Sequence, residues 1–166
     1  MSDALEPRPI SREGIPEAVQ KAEHYRLLNQ PEQAESICRD VLRVDPGHQQ
    51  ALVEIILAMS DQLAMSGHSP DLKKIREYIA KLHDEYQKLY YTGIAHERAA
   101  RALLGRRQAR AFAYEEFREA MQWYEKAEKI RPVGHDDPIL RWNSCVRAIK
   151  RAKLRPRPVP GETQLE

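Results

Sequence analysis

Proline and glycine are confined to a few points in the interior of this chain, and their spacing leaves room for little except helices between them. The interior breaks fall at Gln30-Pro31, Asp45-Pro46-Gly47, Gly67-His68-Ser69-Pro70, Gly93, Gly105 and Arg131-Pro132-Val133-Gly134. Each reads as a helix stop and restart, with proline at or near the first helical position, where its missing N–H costs nothing. Ser69-Pro70-Asp71 is the clearest start: a hydroxyl N-cap, a proline in the first turn and an acid at the positive end of the dipole. Between the breaks, apolar residues recur three and four apart. Leu72, Ile75, Ile79, Leu82, Tyr86 and Leu89 form one such stripe, and Ala109, Ala113, Phe117, Ala120, Tyr124 and Ala127 another. Alternating strand patterns of useful length are missing, so the chain is predicted to be all-α.

With 166 residues, the chain suits one compact domain or a short repeat array, large enough to bury a core without a metal or disulfide staple. The charges nearly balance, 27 Lys and Arg against 25 Asp and Glu, so overall charge alone points to no nucleic-acid partner. Cys38 and Cys145 make neither a disulfide framework nor a ligand cluster, which fits a reducing compartment. The first residues, Met1 to Pro7, lack the basic and apolar blocks of a signal peptide, and no apolar run approaches the ~18 residues needed to span a bilayer. A cytoplasmic location is therefore expected. Residues 1–13 and 154–166 alternate proline with charge and are expected to be disordered tails around a helical domain at 14–153.

Signals for catalysis are weak. His96-Glu97 begins like a metalloprotease helix, but Arg98-Ala99-Ala100 follows and the second histidine is missing. The histidines at 24, 48, 68, 83, 96 and 135 include no pair at ligand spacing. Gly93 and Gly105 belong to no phosphate-binding loop. Cys38 and Cys145 read as buried thiols packing like alanine rather than as nucleophiles. No enzyme activity, cofactor or metal is expected.

The segments Ala34 to Pro46 and Ala120 to Pro132 share a pattern. In each, a small residue is followed four positions on by a bulkier one, three further on by another small or medium apolar residue, and five beyond that by proline. A small residue lets two helices approach closely, the bulkier one fills the space beside it, and the proline ends the helix. The pattern resembles the second helix and terminal proline of a tetratricopeptide repeat. Ala18, Ala22 and Tyr25 fall at the large, small and aromatic positions of that family's first helix. Two departures are Ala18, where the family favours tryptophan, and Lys21, where it favours leucine. Pro46 and Pro132 are 86 positions apart, which two repeats of ~34 residues would fill if each were lengthened by about nine.

The resemblance implies a right-handed α-solenoid of about three helix pairs and a C-terminal capping helix. The pairs are placed at about 16–29 with 31–44, 49–66 with 70–91, and 93–104 with 106–131, and the cap at about 138–153. The loop around Gly67 absorbs part of the extra length. Tyr90-Tyr91-Thr92-Gly93 carries no proline and is either the end of the second pair or a kink in one long helix.

Such a stack lines a concave groove with the first helix of each pair. Projecting the family pattern puts Val19, Glu23 and Arg26 on the groove from the first pair, and Gln50, Val53, Glu54 and Leu57 from the second. Thr92, His96 and Arg101 would come from the third. Co-chaperones of this family grip a C-terminal carboxylate with lysine, arginine and two asparagines. Here Glu23 and Glu54 stand where the asparagines would be and Val19 replaces a lysine, so that clamp is not expected. The groove instead suits a basic or amphipathic segment, unless Glu23 and Glu54 are simply solvated.

A second candidate surface is basic: Arg141, Arg147, Lys150, Arg151 and Lys153, continuing to Arg155 and Arg157 without an acid. It reads as a solvated capping face or as the binding site of an acidic protein. Nucleic acid or membrane is a lesser alternative, since few aromatics intersperse these cations. The expected role is a non-catalytic adaptor or scaffold for a protein or peptide. The alternatives are a secretion-type or assembly chaperone, similar in length and repeat number, and a structural subunit of a larger complex. The oligomeric state is left open.

Overall fold

The computed structural model describes residues 5–65 and 71–161. Among them are seven α-helices and no strand: α1 (Ile15–Leu27), α2 (Pro31–Val44), α3 (Gln49–Gln62), α4 (Leu72–Ile79), α5 (Glu85–Leu104), α6 (Ala113–Ile130) and α7 (Asp137–Arg151). Short 3-10 turns, Arg12–Gly14 and Arg110–Phe112, lead into α1 and α6. The chain is all-α.

Local chemistry accounts for most of these boundaries. Proline opens α1, α2 and α7 within the first two positions, where no helical donor is lost. His48 Nδ1 caps α3 by accepting from the Ala51 N–H. Asp71 caps α4 by accepting from the Lys73 N–H. Ser69, Pro70 and the loop around Gly67 lie outside the described residues. Asn29 turns the chain between α1 and α2 at φ 60°, a left-handed conformation that asparagine tolerates better than most residues.

One break lies elsewhere than the periodicity predicts, and the helix expected over 106–131 begins only at Ala113. The expected helix over 70–91 stops at Ile79, and a new one starts at Glu85. Side chains from another helix hold the interruption. Gln49 Oε1 accepts from the His83 N–H at 2.9 Å, and Gln49 Nε2 donates to the Lys81 carbonyl at 3.3 Å. Asp84 then caps α5 through the Gln87 N–H. Leu82 remains buried within the turn, which is why the apolar stripe runs across the break.

By contrast, α5 passes without interruption through Tyr90-Tyr91-Thr92-Gly93. Gly93 is a contact glycine here: a Cβ at this position would lie 2.5 Å from Tyr124 Cε1. Its bare backbone lets the Tyr124 ring of α6 seat against α5.

Each helix packs on the next along the chain, and α3 also touches α1 and α5. Residues on nearly every side of α3 are buried, Leu52, Ile55, Ile56 and Met59 among them, as expected for a helix enclosed by others. Its cluster, with Ala22, Ala34, Cys38, Ile75, Ile79 and Leu82, forms the first half of the core. Ala100, Ala113, Phe117, Ala120, Tyr124, Cys145 and neighbours form the second. Leu57 and Tyr91 pack against both halves. A smaller cluster joins Ile15, Val19, Val41 and Ala51.

The flanking segments touch this body at named points. Ile10 packs on the small cluster, and Arg43 donates to the Pro7 carbonyl. Beyond α7, Leu154 packs on the second core cluster. Arg157 stacks over Phe112 at 4.1 Å and bonds Glu115 through its backbone N–H and Nε, each at 3.1 Å. No helix among the described residues is long and apolar enough to cross a membrane.

Candidate functional site

The helices α1, α3 and α5 are joined by a chain of charges. Arg26 of α1 donates from Nε to Glu54 Oε2 at 3.3 Å and from Nη1 to Asp61 Oδ2 at 3.4 Å. Asp61 Oδ1 lies 3.4 Å from Arg98 Nε of α5. Glu54 is 3% exposed and also accepts from Gln50 Nε2 at 3.1 Å. Burial pushes its carboxyl above the ordinary range; the Arg26 charge and hydrogen bond oppose the rise and nearby Glu23 adds to it. Glu23 and Gln50 stand exposed beside this chain of charges.

These placements refine the expected groove. Glu23, Arg26, Gln50 and Glu54 come together on one face. Leu57 is half-buried between the two core halves. Val19 and Val53 belong to the core, Val19 among Val41 and Ala51. Thr92 is buried, and its hydroxyl donates to the Lys88 carbonyl. His96 is buried too, its Nδ1 2.8 Å from Glu116 Oε2 of α6. The carboxylate can only accept there, so Nδ1 carries the proton. Asp61 and Arg98 were missed by the groove projection. Asp61 lies seven residues beyond Glu54, a spacing that puts both on one helix face.

A second charged centre surrounds Glu97, which has no solvent exposure. It accepts from Tyr124 Oη at 2.6 Å, from Arg101 Nε and Nη2 at 3.0 and 2.8 Å, and from Arg141 Nε at 3.0 Å. Arg101 also donates to Ser144 Oγ at 2.9 Å. Burial by itself would raise the Glu97 carboxyl, but the Tyr124 hydrogen bond and the two guanidinium groups outweigh it and hold the group below the ordinary range. Burial and Glu97 push the Tyr124 hydroxyl strongly up. This centre ties α5, α6 and α7 together.

Arg101, expected in the groove, and Arg141, expected on the basic face, are both paired with Glu97. Arg147, Lys150, Arg151 and Lys153 are exposed and make no ion pair with a described residue. With Leu140 they form the outer surface of the last helix and the turn after it.

Chemistry at the thiols is disfavoured by position. Cys38 and Cys145 are free and fully buried. Burial and nearby carboxylates push both up to about 12, so neither is a thiolate near neutral pH. No group of three or more His, Cys, Asp or Glu side chains comes together in a metal-holding arrangement among the described residues. Compared with known proteins, the chain matches no family model, and no curated protein or solved structure shows a significant match.

Proposed function

We propose that the chain is a tetratricopeptide-like adaptor whose α1, α3 and α5 form one protein-binding face, with α7 as the cap of the stack. The observation that carries this reading is the Arg26–Glu54–Asp61–Arg98 chain of charges. It joins the first helix of each proposed pair and lies beside exposed Glu23 and Gln50. Support also comes from the packing order, in which neighbours along the chain touch and α3 reaches α1 and α5, as stacked helix pairs require. α7 carries Arg147, Lys150 and Arg151 on its exposed side, the polar outer face a terminal repeat needs.

The face has a small acidic surplus: Glu23, Glu54 and Asp61 against Arg26 and Arg98. A basic or amphipathic segment fits it better than an acidic one. The adaptor has no chemistry of its own in this reading, because its buried carboxylates are committed to guanidinium groups and its thiols are shielded. It works in the cytoplasm.

A structural-subunit reading draws on one further observation. Ile130, Val133 and Leu140 are exposed apolar residues on and between α6 and α7, surface that a permanent partner would cover.

The test is affinity capture from native lysate at low and moderate salt, with two variants whose melting matches wild type. Glu23→Lys/Gln50→Lys alters the proposed face, and Arg147→Glu/Arg151→Glu alters the outside of α7. The adaptor reading expects one protein recovered by wild type and the α7 variant and lost with the face variant. Loss with the α7 variant alone contradicts it. A chain that is insoluble without one stoichiometric partner favours the subunit.

A further inference from the structure

A cleft of about 250 Å³ opens where the start of α5 meets the turn between α6 and α7. Asp84, Tyr86, Tyr90 and Tyr91 line it from the α5 side, and Pro132, His135 and Asp137 from the turn and the start of α7. The rings are ordered: Tyr86 and Tyr90 stack at 5.9 Å with planes 13° apart, and Tyr91 meets Tyr90 at 5.3 Å and 70°. A cation within ~6 Å of an aromatic face is attracted by the ring quadrupole.

Two carboxylates complete that chemistry. Neither Asp84 nor Asp137 is ion-paired with a described residue. The nearby guanidinium groups are committed elsewhere: Arg131 lies 3.5 Å from Asp136 and 3.7 Å from Glu128, and Arg141 is held by Glu97. Tyr86 Oη, on one of the lining residues, is buried and has no hydrogen-bond partner among the described residues. Burial, Asp137 and Asp84 push this hydroxyl up, so it stays neutral. The cleft also borders the charged face, because Tyr91 lies near enough to Glu54 and Arg26 for both to act on its hydroxyl.

We propose that this cleft receives a cationic side chain, lysine or arginine, of a peptide bound along the α1–α3–α5 face. The tyrosine faces and Pro132 pack the aliphatic stem. Asp84 and Asp137 neutralise the charge. This assignment rests on the adaptor reading for its partner, though the cleft's affinity for a cation does not.

The experiment is an NMR titration of the whole chain at constant ionic strength with three probes: N-acetyl-lysine methylamide, N-acetyl-arginine methylamide and neutral N-acetyl-norleucine methylamide. The expected result is saturable shifts at Tyr86, Tyr90 and Tyr91 with the lysine or arginine probe, and binding at least about threefold weaker with norleucine. Asp84→Asn/Asp137→Asn keeps an N-cap at position 84 and is expected to remove that preference without altering the melt. Equal binding of norleucine, or no saturable shift, overturns the site and leaves the adaptor reading standing. Cation binding combined with a captured partner indifferent to the double variant overturns the peptide assignment.

Discussion

Glu54 and Glu97 are both buried glutamates facing arginine, yet their surroundings push them in opposite directions. Around Glu97, a tyrosine hydroxyl and two guanidinium groups favour the charged form. Around Glu54, burial wins over its single arginine. Replacing Glu97 by glutamine leaves Arg101 and Arg141 without their counter-charge and is expected to cost about 3 kcal/mol in urea unfolding. Glu54→Gln keeps polar groups beside Arg26 and Gln50 and is expected to cost under about 1 kcal/mol, because the fold already disfavours its charge. Their pH dependences have opposite signs. The Glu97 contribution is full above the unfolded carboxyl value, about 4.3, and disappears as pH falls through the lower folded value. The Glu54 contribution is largest in acid and declines as pH rises from about 4.3 through its raised folded value. Unfolding measured from pH 3 to 7 in the two variants checks both signs. The thiols allow a simpler test: Cys38 and Cys145 should ignore a thiol reagent near pH 8 in the folded protein and react together on denaturation.

At the scale of helices, Gly93 sets propensity against packing. Alanine is the better helix former by up to ~1 kcal/mol, but its Cβ would meet the Tyr124 ring at 2.5 Å. Gly93→Ala is therefore expected to destabilise, by about 1–3 kcal/mol in the same assay. A neutral or stabilised variant would show that the ring can move aside. Gly93 also illustrates what the sequence could and could not convey. Proline marked the starts of α1, α2 and α7, and the stripe through Phe117, Ala120, Tyr124 and Ala127 gave α6 its buried side. A glycine, however, looks the same whether it ends a helix or admits a ring from another one, and only the packing of α6 on α5 decides. The break before α5 was partly legible: Asp84 with Gln87 three residues on is an N-cap signature, masked by an apolar stripe that Leu82 carries through the turn. On the charged face, the family projection had grouped Glu23, Arg26, Gln50 and Glu54. Val19 and Val53 were assigned to it but lie inside, because which flank of a helix is covered depends on how its neighbours cross it.

For the whole molecule, charge is organised by contacts between helices rather than by runs along the chain. The basic C-terminal sequence divides, with Arg141 turned inward to Glu97 and Arg157 held by Glu115, leaving Arg147, Lys150, Arg151 and Lys153 outside. Arg26, Glu54, Asp61 and Arg98, scattered over 73 positions of sequence, form one connected line. If that line and its exposed neighbours are where a partner lies, binding should slow backbone exchange there. Amide hydrogen exchange of the chain with and without its captured partner tests this most directly. The account predicts added protection in peptides from α1, α3 and α5, with α2 and the outer face of α7 unchanged. Protection confined to α7 or to α2 would contradict it.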